Sequence, residues 1–343
     1  MADILEDEQG GQLWLGFGNM GLGRFDKARN KFVNYRHDPA DPYSINTNKI
    51  NTLYQSQSGT IWASGLGGGV SFFNPQQKKF DLYRHNPDDV DSLLSNRIIS
   101  MYVDVTGLLW VGTSAPGALH KIDPQTKQVT RYTHDPEDPH SLSNDISIEA
   151  IAGDADGNLW IGTWAGGLNY FDRSTEQFTH YFHNPDDPNS LPDKNNVVLA
   201  LHVDQQGMVW LDSWTGEFSR FDPSTKTFKH YHELPNYPPT LVGAGARLIY
   251  EDKAGFLWIG SFDKGLYRFD PQTEQYQAYQ HHPADKYSLS KGSVYAIHED
   301  VEGTLWVGTT NGLDKLSPSG GEIGGAKTGF TPMKPYIFAH YLV

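Results

Sequence analysis

The chain reads as an all-β protein, a seven-bladed β-propeller with four-stranded antiparallel blades. Three observations carry that reading. Seven tryptophans, Trp14, Trp62, Trp110, Trp160, Trp210, Trp258 and Trp306, recur at intervals of 48, 48, 50, 50, 48 and 48 residues. A glycine stands three residues before each: Gly11, Gly59, Gly107, Gly157, Gly207, Gly255 and Gly303. Around each tryptophan, short apolar runs alternate with turn residues. Self-similarity at a fixed period reveals how a chain is assembled, and a module of this length matches one propeller blade.

The fourth copy illustrates the elements in order. Ile148, Ala150 and Ala152 alternate with polar or differently facing residues, which predicts a first strand. Asp154-Ala155-Asp156-Gly157 is a tight turn in which glycine supplies the positive φ. Leu159 to Thr163 reads as the second strand, and Ala165-Gly166-Gly167 turns the chain into a third, Leu168 to Asp172. Arg173-Ser174-Thr175-Glu176 is a polar turn before a fourth strand, Gln177 to Phe182. The same plan recurs in Asp104–Tyr132 and Asp252–Tyr279. The anchor tryptophans are expected to pack between adjacent blades as structural core, each burying about 150–250 Å².

The seventh copy lacks an evident fourth strand. Residues 1–317 are therefore assigned to the propeller and 318–343 to a glycine-rich linker and tail. Thr328–Met333 or Pro335–Val343 would close the last blade, unless that strand is missing or the tail opens a further, truncated domain.

Composition narrows the classes of function. The repeats fill nearly all of the 343 residues, so one domain is expected despite the length. Net charge is −14, from 41 acidic and 27 basic residues, which argues against binding nucleic acid phosphates. The absence of cysteine rules out disulfides and thiolate metal sites. No apolar run approaches the roughly 20 residues that span a bilayer, so no membrane contact by this segment is expected. The N-terminus has neither a basic stretch nor a following apolar one, and looks like a cut through the start of a repeat. A fragment, an expressed domain or a chain shorn of its export signal is expected.

The repeats share Asp-x-x-Gly-x-Leu-Trp-Ile-Gly-Thr, then Gly-Gly-Leu, then Phe-Asp, then Tyr-x-His-Asp/Asn-Pro-x-Asp-Pro-x-Ser-Leu. The fullest copy runs from Asp154 through Leu191, with Trp160-Ile161-Gly162-Thr163, Gly166-Gly167-Leu168, Phe171-Asp172 and His183-Asn184-Pro185 through Leu191. This pattern, over about residues 3–317, resembles the two-component regulator propeller repeat of the periplasmic sensor region of bacterial hybrid histidine kinases. In that family propellers precede a small β-sandwich, a membrane helix and a kinase, and many members sense oligosaccharides. The resemblance implies a non-catalytic ligand-sensing propeller, periplasmic or extracellular, that binds an oligosaccharide or other small ligand. It also implies a homodimer or a downstream signalling domain as partner. Two copies depart from the pattern. The third has Ser114-Ala115-Pro116-Gly117 at the glycine turn; the fifth has Leu211-Asp212-Ser213 for Ile-Gly-Thr and Leu234-Pro235-Asn236-Tyr237-Pro238-Pro239 for the His-Asp-Pro loop.

Three consecutive copies place an aromatic four residues after the anchor, Trp164, Trp214 and Phe262, in the turn between second and third strands. Neighbouring blades would present these as a contiguous shelf on which sugar rings could stack, although rings at loop tips can also fold inward. Basic residues at the starts of first strands, Lys49, Arg97 and Arg247, would surround the channel mouth and favour a carboxylate or sulfate, unless they pair with loop aspartates. His37, His85, His134, His183 and His281 recur in the inter-blade loops. Equivalent positions spread around a ring cannot converge on one metal ion, so a loop-bracing role is expected, and no cofactor or metal. The alternative to a sensor is a propeller lyase, acting on uronate polysaccharides or streptogramin-like, with His202 or His298 as base and Arg247 neutralising a carboxylate or enolate.

Overall fold

A computed structural model describes residues 1–7, 10–56, 59–73, 80–318 and 336–341. Its strands form seven sheets of four antiparallel strands arranged in a ring, a seven-bladed β-propeller as the repeat predicts. The first strands are Asp3–Glu6, Ile50–Gln55, Ile98–Val103, Ile148–Gly153, Ala200–Val203, Ala246–Glu251 and Val294–Glu299. Consecutive first strands touch around the whole circle, the last reaching back to the first, and so they line the axis. In the seventh blade the outer strand is Tyr336–Tyr341, which pairs with Gly312–Pro318 from Leu313↔Tyr341 to Pro318↔Tyr336. The alternative segment Thr328–Met333 lies outside the described residues.

There is no single central core. Seven apolar clusters lie between successive blades, and each takes one anchor tryptophan from one blade and aliphatic and aromatic residues from the next. Trp14 packs with Ile50, Ile61 and Phe73 of the second blade, Trp160 with Val198, Val209 and Phe221 of the fifth. The series ends with Trp306 of the seventh blade against Ile4, Leu13, Leu15 and Phe25 of the first, which closes the ring. Tyr341 adds an edge contact to Phe25 and a tilted one to Trp306, with centroids 5.5 and 5.6 Å apart. Lys27 bridges Glu6 (2.6 Å) and Asp300 (3.1 Å) beside this seam.

The shared motif has a direct physical meaning. In four blades the aspartate six residues before the tryptophan accepts the indole N–H: Trp110 to Asp104 at 2.9 Å, Trp210 to Asp204 at 2.7 Å, Trp258 to Asp252 at 2.8 Å, Trp306 to Asp300 at 2.9 Å. The same carboxylate accepts backbone N–H groups of the turn, as from Thr106 and Leu108 to Asp104. One side chain thus satisfies a buried indole and fixes the hairpin leading to it. The turn glycine, at φ +85° in Gly157 and +86° in Gly107, adopts the left-handed conformation that this hairpin requires. The loop histidines brace their loops as expected. Each presents Nδ1 to a carbonyl eight residues on, from His37 to Ile45 (2.9 Å) through His281 to Leu289 (2.9 Å). A carbonyl only accepts, so Nδ1 carries the proton in all five.

The fifth-blade departure is compensated within the chain. Two residues after the anchor, most blades carry a glycine because the next blade's first strand lies on it. A Cβ on Gly162 would stand 2.8 Å from Val198 Cγ1, and one on Gly260 2.9 Å from Val294 Cγ1. The fifth blade has Asp212 there, fully buried, and its neighbour across the seam is the smaller Ala246. The freed volume holds a carboxylate that accepts N–H bonds from Ser213 (2.7 Å) and Ala246 (3.2 Å). The replaced loop also packs inward, with Tyr237 buried and donating its hydroxyl to the Gly216 carbonyl at 2.8 Å.

Burial pushes the Asp212 carboxyl up to about 7 against its two backbone hydrogen bonds. Its contribution to stability is complete below the ordinary carboxylate range, about pH 4, and is lost as pH rises through about 7. His120 works in the opposite sense. It is fully buried, accepts the Leu94 N–H on Nε2 at 2.9 Å, and is pushed down to about 4 by burial. Its contribution is complete above the ordinary imidazole pKa, about 6.5, and is lost as pH falls through about 4.

Two results are expected from urea unfolding. Ala246→Val alone overpacks against Asp212 and costs about 1–3 kcal/mol. Combined with Asp212→Gly it restores the packing of the fourth and sixth blades, so the coupling energy exceeds about 1 kcal/mol. In that double variant, His120 is no longer opposed by Asp212, and stability rises between pH 4 and 6.5 more steeply than in the parent, by up to about 1.4 kcal/mol per pH unit. Additive effects, or an unchanged pH slope, would remove this account of the blade.

Candidate functional site

The axis opens into a channel of about 630 Å³ with lining residues from all seven blades. Its inner ring has a simple rule. The residue 11 positions before each anchor is Asp3, Asn51, Ile99, Glu149, Leu199, Arg247 or Tyr295, and all seven line the channel. In five blades the pairing of first and second strands slips by one residue at this position, leaving Asn51, Ile99, Glu149, Arg247 and Tyr295 as the extra, unpaired residue. A bulge bends the strand and re-aims its side chain. The simple alternation predicted for Ile148, Ala150 and Ala152 is therefore interrupted at Glu149, and the fourth-blade first strand is half-buried along most of its length.

The ring is chemically mixed. Among the described lining residues Arg247 has the one cationic side chain, and its guanidinium carbon lies 5.5 Å from the Phe262 centroid and 6.0 Å from that of Tyr295. Arg247 Nη1 is 3.6 Å from Glu149 Oε2, two blades away. Asp3 accepts the Leu53 N–H at 2.6 Å and the Ile4 N–H at 2.8 Å, while burial pushes its carboxyl up to about 7.

Trp164, Trp214 and Phe262 form one continuous row. Trp164 and Trp214 have centroids 5.7 Å apart, Trp214 and Phe262 5.3 Å, and Tyr295 extends the series 6.1 Å from Phe262. Successive rings are inclined by 63°, 55° and 87°, so the row is a set of angled facets rather than a flat shelf. Trp164 is 36% and Trp214 51% exposed, unlike the anchors, which are at most 3% exposed. The row meets the channel through Phe262, which contacts the lining residues Arg247 and Tyr295.

The other basic candidates lie elsewhere. Lys49 and Arg97 precede their anchors by 13 positions, not 11, and are exposed where their strands begin. Neither is among the described channel-lining residues. His202 and His298 lie opposite the anchor tryptophans, paired with Trp210 and Trp306 in the strand register, and are also outside the channel lining. Each faces a carboxylate: His202 Nε2 is 3.0 Å from Glu251, and His298 Nε2 is 3.7 Å from Glu6, with burial holding His298 below the usual imidazole range. The structure thus joins Arg247 to the aromatic row and does not gather it with the two histidines. Sequence reasoning passed over Glu149, Tyr295, Asn51 and Asp3, although counting back 11 residues from each tryptophan finds them all.

Comparison with known proteins agrees with this architecture. Residues 92–115, 141–165 and 288–311 match the two component regulator propeller model. Those three segments carry the repeat of that family. No curated protein matches it. Among solved structures it is similar to the extracellular domain of a B. thetaiotaomicron protein described as a hybrid two component system. The TM-score is 0.74 at 24% identity, over 90% of this chain and 38% of that one. A streptogramin B lyase has the same fold, with TM-score 0.65 at 16% identity over 90% of both chains. So does a catalytically inactive virginiamycin B lyase from Staphylococcus aureus solved with quinupristin, with TM-score 0.64 at 13% identity over 90% of this chain and 91% of that one. Among the described residues no helix is long and apolar enough to cross a membrane.

The burial pattern separates row from core. Trp210→Ala, at an anchor, is expected to cost about 3–5 kcal/mol. Trp214→Ala, four residues later, is expected to cost about 1 kcal/mol or less, the worth of its edge contacts. Denaturant unfolding of both variants checks this, and a loss at Trp214 equal to that at Trp210 would return it to the core.

Proposed function

We propose that this propeller is the ligand-binding part of a bacterial sensor of the two-component type. It acts outside the cytoplasmic membrane and recognises an oligosaccharide. The observation that carries the reading is the row of angled aromatic rings, Trp164 and Trp214 exposed and Phe262 half-buried, running to the mouth of the axial channel. Exposed aromatic side chains bring large contact area at small conformational cost, and inclined facets suit the puckered, apolar faces of successive sugar rings. The family of the repeats and the likeness to an extracellular domain support the sensor role and the location. The chain spans 38% of the length of that solved relative.

In this reading the propeller performs no chemistry. Signalling follows when a bound oligosaccharide favours one arrangement of the propeller relative to a downstream domain or a second copy of the chain. A ligand shifts such an equilibrium only by its difference in affinity for the two arrangements. In this reading Lys49 and Arg97, exposed at the starts of their strands, meet the ligand at its periphery rather than at its centre. The lyase reading, with His202, His298 and Arg247, draws on the shared fold with streptogramin B lyase, and a fold alone does not select an activity.

The test is a tryptophan-fluorescence titration of the intact chain with neutral and acidic oligosaccharides, following the ultraviolet absorbance of any unsaturated uronate in the same sample. Saturable binding without new absorbance is expected, and Trp214→Ala or Trp164→Ala is expected to weaken it about 10-fold or more, as loss of a central aromatic anchor does. Accumulating absorbance would overturn the sensor reading in favour of a lyase. Binding unchanged in both variants would remove the row from the site.

A further inference from the structure

Among the described residues Arg247 has one ion-pair partner, Glu149, which approaches it without engaging its N–H fork in a hydrogen bond. The two rings of Phe262 and Tyr295 hold the guanidinium at the channel mouth. Its one charged partner among the described residues, Glu149, stands at 3.6 Å, beyond hydrogen-bonding distance, and no hydrogen bond from the guanidinium is seen there. Arg247 is about a third exposed, so water rather than protein meets its donors. Arginine presents its N–H groups as a fixed planar fork that matches a carboxylate or sulfate in two parallel bonds. Stacking against aromatic rings orients that fork without occupying it.

Glu149 is placed to oppose the same anion. Its side chain is only a tenth exposed, and the inner-ring residue of the blade between it and Arg247 is the apolar, buried Leu199. The carboxylate therefore faces Arg247 across the mouth with little intervening polar structure. It offsets the guanidinium charge when the channel is empty. It repels a second carboxylate when one arrives, since like charges in a partly desolvated site are poorly screened.

Building on the oligosaccharide-binding reading above, we propose that the axial mouth is an anion subsite for an acidic sugar at one end of the ligand. In this subsite Arg247 takes the sugar's carboxylate or sulfate in a forked pair, and Glu149 acts as a built-in competitor that lowers its affinity. The neutral rings of the ligand then extend along Phe262, Trp214 and Trp164, so the aromatic row sets overall affinity and the mouth reads charge. A competitor of this kind discriminates by adding a repulsive element as well as an attractive one.

The experiment uses the intact chain and matched probes: galacturonate-, glucuronate- and mannuronate-containing trisaccharides, each beside its methyl-esterified form, and a sulfated disaccharide. Binding is read by tryptophan fluorescence and calorimetry. The free acids are expected to bind at least about 10-fold more tightly than the esters, the scale of one charge-assisted pair. Arg247→Gln removes that preference and leaves ester binding in place. Arg247→Lys weakens acid binding about 10-fold, because an ammonium cannot fork. Glu149→Gln strengthens acid binding about 10-fold and leaves ester binding unchanged, which a merely structural Arg247–Glu149 brace would not do. Should Arg247→Gln fail to fold, the Glu149→Gln result alone decides. An Arg247-dependent preference confined to the sulfated sugar supports the subsite with sulfate as the anion. Equal binding of acids and esters, or weaker acid binding in Glu149→Gln, overturns the subsite while sparing the aromatic row. No binding of any probe overturns both.

Discussion

Everything in this fold depends on how closely one blade can approach the next. The anchor tryptophan of each blade is pressed into the following one, and a glycine two residues later lets a β-branched side chain of that neighbour lie directly on the backbone, as Val198 does on Gly162. Interiors packed at crystal-like density tolerate little change in volume. That contact explains why the tryptophan, the glycine and the apolar residue of the next first strand travel together through the chain. The aspartate cap follows from the same constraint, because an indole buried this deeply must place its N–H on an acceptor.

With the core divided among seven seams, the innermost residues are released from packing duty. A side chain 11 positions before the anchor faces neighbours across the axis rather than across a seam, and the recurring bulge turns it further inward. Aspartate, asparagine, isoleucine, glutamate, leucine, arginine and tyrosine all occupy this one structural position. The turn after the second strand has the same freedom, which is why Trp164 and Trp214 can stand exposed beside anchors that cannot. Rigid seams and a variable rim are the division of labour expected of a scaffold that carries a site.

The fifth blade shows how the constraint is met when the pattern breaks. Asp212 occupies the glycine position, and the clash this would cause is avoided by Ala246 on the facing strand. The buried carboxylate is satisfied by two backbone N–H groups instead of a counter-charge, and burial raises its pKa accordingly. Trp214 follows two residues later, so the site's most exposed ring grows out of the blade with the most altered seam.

The sequence alone determined the number of blades, their strand plan, the burial of the seven tryptophans and the bracing role of the loop histidines, because each is a local rule repeated seven or five times. It also placed Trp164, Trp214 and Phe262 in consecutive blades, since equal spacing in a ring implies adjacency. Lys49 and Arg97, which the sequence groups with Arg247, lie two positions further from their anchors along the first strand and are not among the described residues that line the channel. The approach of Glu149 to Arg247, the contacts of Arg247 with Phe262 and Tyr295, and the extra bulged residue in five of the first strands were decided only by the tertiary structure. Those contacts join residues from different blades across the axis, where spacing along the chain carries no information about which side chains meet.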